Sequence, residues 1–230
     1  MDQAQLDHLV RAMFPHDHDG RLTGASPLLH IVRTDYAVVC RCHGALPDAI
    51  VAQVRALASA PRGRPGEWAA EYARYLSVTQ SFASATAVRS GPLYGFPNEL
   101  GETMGCVEIN STNLDLLRGS LNEWVEDAQQ GSVMAAAIVD GRAASVCASV
   151  RATPTVHCAG VETAPAYRGR ALAQRAVAAW AVLVRRNGAE PYYATTFDNT
   201  ASQRVAQRLG LRPIGSEFSI YGAASPQHQR

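Results

Sequence analysis

The chain has 230 residues, 47% hydrophobic and 18% charged, enough apolar material to bury the core of one large domain or two small ones. A formal net charge of +1 without a clustered basic face excludes a nucleic-acid or other polyanionic partner on compositional grounds. No apolar run approaches the roughly 20 residues of a membrane span, and Met1-Asp2-Gln3-Ala4-Gln5-Leu6-Asp7 lacks the basic and apolar blocks of an export signal. The expected setting is the cytoplasm, without membrane contact.

Along the chain, Leu6, Leu9, Val10, Met13 and Phe14 fall at helical spacing and predict an amphipathic helix over 4–14. Asp17-His18-Asp19-Gly20 reads as a turn. The β-branched and apolar runs 28–32 and 36–42, around Thr34-Asp35, predict a hairpin. Pro47 opens a helix with Ile50, Val51, Val54 and Leu57 on its buried face. The run Pro61-Arg62-Gly63-Arg64-Pro65-Gly66 predicts an exposed connection, 67–76 a third helix, and the Gly- and Pro-rich stretch 91–101 a loop.

From residue 104 onward the pattern becomes a regular succession of strands and helices, which sets a boundary between an N-terminal α/β region, 1–103, and a second domain, 104–224. Residues 107–109 predict a short strand and Asn113 a helix start. The runs 133–139 and 143–150 flank Asp140-Gly141 as a hairpin. Residues 155–163 predict a strand. Leu172, Ala173, Ala176, Val177, Trp180, Leu183 and Val184 form the apolar stripe of a helix, which Arg185-Arg186 and then Asn187-Gly188 close. Residues 192–196 predict a strand, Asn199 caps a helix ending at Gly210, and 212–221 supply the last strands. The small, polar residues 225–230 read as a flexible tail.

The chemistry concentrates in Val161-Glu162-Thr163-Ala164-Pro165-Ala166-Tyr167-Arg168-Gly169-Arg170-Ala171-Leu172-Ala173, a strand that turns through proline into the striped helix. The first amides of a helix have no intrahelical acceptor and lie at the positive end of its dipole. Gly169, Ala171 and Ala173 let an anion approach the backbone, and Arg168 and Arg170 add charge.

These residues resemble the signature of the GNAT superfamily of N-acetyltransferases, Gln/Arg-x-x-Gly/Ala-x-Gly/Ala, which Arg168-Gly169-Arg170-Ala171-Leu172-Ala173 matches. Ala171 stands where many relatives have glycine. A second block, Asp198-Asn199-Thr200-Ala201-Ser202-Gln203-Arg204-Val205-Ala206-Gln207-Arg208-Leu209-Gly210-Leu211, is similar to the family's Asn-x-x-Ser/Ala…Leu-Gly-Phe/Leu helix. The likeness covers 104–222 and is nearest to a bacterial subgroup with an added N-terminal region. It implies a mixed, mostly antiparallel central sheet flanked by helices, in the α/β (α+β) class, beside a smaller N-terminal α/β region. It further implies acetyl-CoA as co-substrate. Its pyrophosphate would rest on the amides of 168–173, its pantetheine arm on the strand amides of Val161 and Thr163, with Asn199 and Ser202 on the arm's other side.

The resemblance also implies direct attack by a neutral amine on the thioester, which needs positioning, a base and an oxyanion donor. Glu162 is the favoured base and His157 the alternative; strand alternation places the two on opposite faces, so one at most reaches the cleft. Many relatives carry a tyrosine seven positions after the Asn to protonate the departing thiolate, and this chain has Ala206 there. Ser202, Tyr193 and Tyr221 are the candidate replacements. Trp124 is placed near the acceptor cleft by position alone.

His16-Asp17-His18-Asp19 is too short to close around a metal, and Cys40-x-Cys42 alternates with apolar residues as core, so no metal is assigned. The five cysteines, Cys40, Cys42, Cys106, Cys147 and Cys158, predict reduced thiols. A dinucleotide-binding fold is excluded by the lone glycine of the required three and by the hairpin ahead of the helix. The expected acceptor is a small-molecule amine. The alternatives are a non-catalytic acyl-CoA sensor or scaffold, and an acetyltransferase acting on a protein or peptide N-terminus. The N-terminal region is expected to cover the acceptor side, form a homodimer interface, or both.

Overall fold

The computed structural model describes residues 1–59 and 68–222. The expected connection 61–66, the first residue of the expected third helix and the tail beyond Gly222 lie outside the described residues. Contacts divide the chain into two compact units, one comprising Met1–Pro92 with the segment from Ile214 onward, the other Leu93–Pro213. Of the expected second domain, residues 104–213 lie in the second unit and its last strand returns to the first.

The first unit opens with α1 (Gln3–Met13), capped by a reciprocal pair in which the Asp2 carboxylate accepts the Gln5 N–H and the Gln5 side chain accepts the Asp2 N–H. Strands β1 (Leu29–Arg33) and β2 (Val38–Cys42) form the expected hairpin. Helices α2 (Asp48–Ser59) and α3 (Trp68–Gln80) follow, the latter ending four residues beyond the point that the sequence pattern suggests. Strand β3 (Ala85–Gly95) takes up the first five residues of the expected loop 91–101. Its Thr86, Val88, Leu93 and Tyr94 are strand formers, and Pro92, which has no N–H to offer a ladder, is the last residue of the first unit. The final element, β9 (Arg212–Gly222), is one long strand that pairs with β1 from Arg33↔Ser216 to Leu29↔Ile220. Within this unit the strand order is β2-β1-β9-β3.

Every residue of β1 is buried, because both of its faces are covered. Leu29 and Ile31 pack with Val51, Val54, Tyr75 and Phe218, and Tyr72 stacks on Phe218 at 4.1 Å. On the other face, His30 meets the Met13 sulfur at 3.3 Å, the Phe14 ring edge and the Ser219 hydroxyl. Arg33 makes a paired contact with Glu71, its charge removed from water together with its partner's.

The second unit has strand order β3-β8-β7-β6-β5-β4, with β4 (Cys106–Ile109), β5 (Met134–Val139), β6 (Arg142–Ala152), β7 (Val156–Thr163) and β8 (Glu190–Ala194). All pairs are antiparallel except β7 with β8. The architecture is therefore the mixed, mostly antiparallel α/β fold expected. The β5–β6 hairpin turns through Asp140 and Gly141, both at positive φ, 49° and 74°.

Alternation along the strands sends two sets of side chains to two faces. Ala135, Ala137 and Cys147 meet α5 (Leu172–Arg186), whose Trp180 is fully buried. Met134, Ala136, Val146 and Ala148 meet Leu117, Leu121, Trp124 and Ala128 on the opposite face. The helix expected from Asn113 is broken into two 3₁₀ turns, Leu114–Leu117 and Asn122–Trp124, and the short α4 (Val125–Gln129). Gly119 stands between them at φ 102°, a conformation that ends a helix.

Helix α5 begins after Ala171, which has φ 62°, and Gly169 two residues earlier has φ 80°. A left-handed alanine costs about 1 kcal/mol that glycine does not incur. Part of that gain is offset by glycine's freer unfolded chain. Ala171→Gly is expected to stabilise the protein by about 0.5 kcal/mol, a rise of roughly 1–2 °C in the thermal midpoint. Calorimetry showing a lower midpoint would mean the turn is not strained.

Candidate functional site

Strands β7 and β8 run side by side for three residues only, Val156↔Glu190, His157↔Pro191 and Cys158↔Tyr192. Beyond Cys158 they part, while β6 stays paired with β7 as far as Ser145↔Thr163. Opposite the parting point β6 carries a bulge between Ser149 and Arg151. A bulge bends its strand and sharpens the local twist, which supplies a physical reason for β7 to leave its neighbour. Gly160 lies just beyond; a Cβ there would collide with Val150 of the bulge and touch the Trp124 ring.

The parting leaves strand amides without a neighbour. Ala164 N–H donates to Ala144 of the β6 side, so alternation turns the amides of Val161 and Thr163 the other way, into the gap. These are the two amides singled out from the sequence.

An open cleft of about 620 Å³ occupies this region. Its walls are the end of β7, the turn 167–171, the first residues of α5, Tyr193 of β8, and α6 (Thr200–Arg208) with its cap Asn199. Glu162 and all ten residues expected to bind the co-substrate line it: Val161, Thr163, Arg168, Gly169, Arg170, Ala171, Leu172, Ala173, Asn199 and Ser202. Positive φ at Gly169 and Ala171 turns successive amides of the loop inward ahead of the helix start, a concave arrangement suited to an anion.

Arg168 is tied back through its Nε to the Thr163 carbonyl at 3.3 Å, and Arg170 lies 5.4 Å over the Tyr167 ring. Sequence reasoning missed Arg204 and Arg208, which also line the cleft; their i,i+4 spacing on α6 was the available signal. Four guanidinium groups thus surround a cleft whose lining holds one carboxylate, that of Glu162.

The Glu162 carboxylate accepts the Trp124 indole N–H at 2.8 Å. Trp124 itself is buried in the core and is not among the residues that line this cleft. His157 is not a lining residue either. Its Nδ1 lies 2.7 Å from the Ser149 hydroxyl, which accepts the Trp180 indole N–H at 2.9 Å. Burial holds the His157 imidazole below its ordinary pKa.

Asn199 caps α6 by accepting the Ser202 N–H at 3.0 Å. The hydroxyls of Ser202 and Tyr193 are 2.7 Å apart. Burial pushes the Tyr193 phenol up to about 12. Ala206 is fully buried. Among the described residues no cluster of three or more His, Cys, Asp or Glu side chains is arranged to hold a metal, and no helix is long and apolar enough to cross a membrane.

A comparison with curated proteins gave no match. Among solved structures the chain is similar to a GNAT-family protein from Novosphingobium aromaticivorans, at 20% identity over 61% of this chain and 68% of that one, with a TM-score of 0.48. It is similar to a GCN5-related N-acetyltransferase-like protein from Streptococcus suis, at 15% identity over 63% and 66%, TM-score 0.46. A GNAT-family acetyltransferase from Colwellia psychrerythraea matches at 12% identity over 64% and 61%, TM-score 0.47. The chain thus spans about two thirds of the length of these relatives. The family model for GNAT acetyltransferases matches residues 123–221, the stretch that builds both walls of the cleft. Residues 123–221 of this chain are similar to the GNAT superfamily of acetyltransferases, whose family model they match.

Proposed function

We propose that the second unit transfers an acetyl group from acetyl-CoA to the amine of a small molecule, by direct attack in a ternary complex. The observation that carries this reading is the gap between β7 and β8. It joins unpaired strand amides to a cationic helix start, and so suits a ligand with an amide-bearing arm and a phosphorylated end. The pyrophosphate is assigned to the amides of Gly169, Arg170, Ala171, Leu172 and Ala173, with Arg168, Arg170, Arg204 and Arg208 supplying charge. The arm is assigned to the Val161 and Thr163 amides on one side and to Asn199 and Ser202 on the other.

Glu162 is assigned as the base. Its Oε2 is held by Trp124, which leaves Oε1 to take the proton of an attacking ammonium, directly or through water. The attack forms the carbon–nitrogen bond and breaks the carbon–sulfur bond, and the departing thiolate needs a proton. We assign that proton to the Tyr193–Ser202 hydroxyl pair, which stands where Ala206 offers nothing. With Tyr193 pushed up to about 12, the pair is protonated throughout the neutral range.

Titration with acetyl-CoA beside an NAD control, followed by a thiol-release screen over small amines, tests the whole reading. Selective acetyl-CoA binding with amine-dependent thiol release is the expected result. Binding without release would favour the sensor reading, and no binding would end the proposal.

Glu162→Gln is expected to lower kcat/KM by about 10²-fold or more while acetyl-CoA affinity holds. Wild-type turnover in that variant would remove Glu162 as base. Tyr193→Phe deletes one hydroxyl from the pair and is expected to lower kcat by about 10²-fold, with little change in the Kd for acetyl-CoA. Unchanged kcat would release the pair from its assigned role.

A further inference from the structure

The first unit contains a polar pocket of about 200 Å³ that shares no lining residue with the cleft of the second unit. It lies along β2, the edge strand of that unit, and is lined by Arg11 of α1, Arg41 of β2, Arg55 of α2 and Arg21 of the connecting turn. Three of the four arginines are held in place by the fold. Arg21 donates to the carbonyls of His43 and Leu46 and pairs with the fully exposed Asp48 at 3.3 Å. Arg41 donates to the Cys40 carbonyl at 3.3 Å and pairs with Asp7, which also receives the Arg11 Nε at 2.8 Å. Arg55 pairs with no carboxylate among the described residues, and Asp19 is the one acidic residue in the lining.

Anchoring the guanidinium groups this way leaves donors over. The Nε atoms of Arg21 and Arg41 are buried and have no acceptor among the described residues. A buried, charged donor without a partner is costly, and an acceptor-only ligand relieves that cost. The pocket's two thiols are pushed in opposite directions, Cys40 upward by its hydrogen bond to Cys42 and by burial. Cys42 is held below its ordinary pKa, first by a hydrogen bond from the Cys40 thiol and then by Arg21, Arg55 and Arg41.

We infer that this pocket is a binding site for a small tetrahedral oxyanion of the phosphate class, independent of the acetyl-transfer cleft. Such an ion is all acceptor, carries negative charge and fits within the available volume. Arg55, on the rim and without a carboxylate partner among the described residues, contributes most of the removable attraction.

Calorimetric titration of sodium phosphate, in low-salt chloride buffer, into the full chain tests the inference. Glycerol 3-phosphate is titrated as a second arm, and the variants Arg55→Ala, Arg55→Gln and Arg170→Ala run in parallel. Phosphate is expected to bind the β2 pocket, with about ten-fold weaker affinity there in both Arg55 variants, while Arg170→Ala weakens only the separate component that belongs to the α5 cleft. Tighter binding of glycerol 3-phosphate would identify the ligand as a phosphomonoester, and equal binding as the free ion. Absence of phosphate binding would overturn the inference. So would a loss that follows Arg170→Ala and spares the Arg55 variants, because it would place the ion at the start of α5.

Discussion

Parallel pairing between β7 and β8 ends at Cys158 and Tyr192, whereas β6 keeps its register with β7 to the end of the strand. Everything at the cleft depends on this difference. A strand held firmly on one side and released on the other keeps its shape while exposing alternate amides, which flexible loops do poorly. The β6 bulge and the glycine at 160, tight against Val150 and Trp124, fix where the release happens. The same strand then leads through Pro165 into the left-handed turn and the start of α5, so open amides and anion-binding amides belong to one continuous stretch of chain.

The charge distribution follows the same logic. Four arginines gather where phosphate groups are expected, and one carboxylate, oriented by an indole N–H, stands at the strand end. The balance within the cleft is therefore strongly positive although the whole chain carries a formal charge of only +1. Net charge describes the surface as a whole and is a poor guide to a single concavity, as the second group of arginines, in the first unit, also illustrates.

Much of this was legible in the sequence because the signals were local. The stripe from Leu172 to Val184, the Asp140-Gly141 turn and the Asn199 cap each depend on residues within a few positions of one another. Signals that fail are those overruled from a distance. Gly91-Pro92 reads as loop but lies inside β3, whose end pairs with β8 about a hundred residues later in the chain, at Leu93↔Ala194. The contact of the buried Trp124 ring with the Glu162 carboxylate joins residues 38 positions apart and has no local signal. His157 has the right chemistry and the right strand, but it lies in the stretch still paired with β8 and its ring is committed to Ser149. The Tyr193–Ser202 hydroxyl pair, proposed as the proton source, had no sequence pattern as a pair, since the two side chains meet across two elements.

The return of residues 214–222 to the first unit has a consequence for biogenesis. Strand β1 emerges from the ribosome early, but its partner β9 is made some 180 residues later, after the entire second unit. Until then β1, an unbroken buried strand, must wait with one edge open. Edges of that kind invite pairing with other chains, and late long-range closure is slow. The order of synthesis therefore favours completion of the second unit first and makes the N-terminal unit, though translated earlier, the last to finish folding.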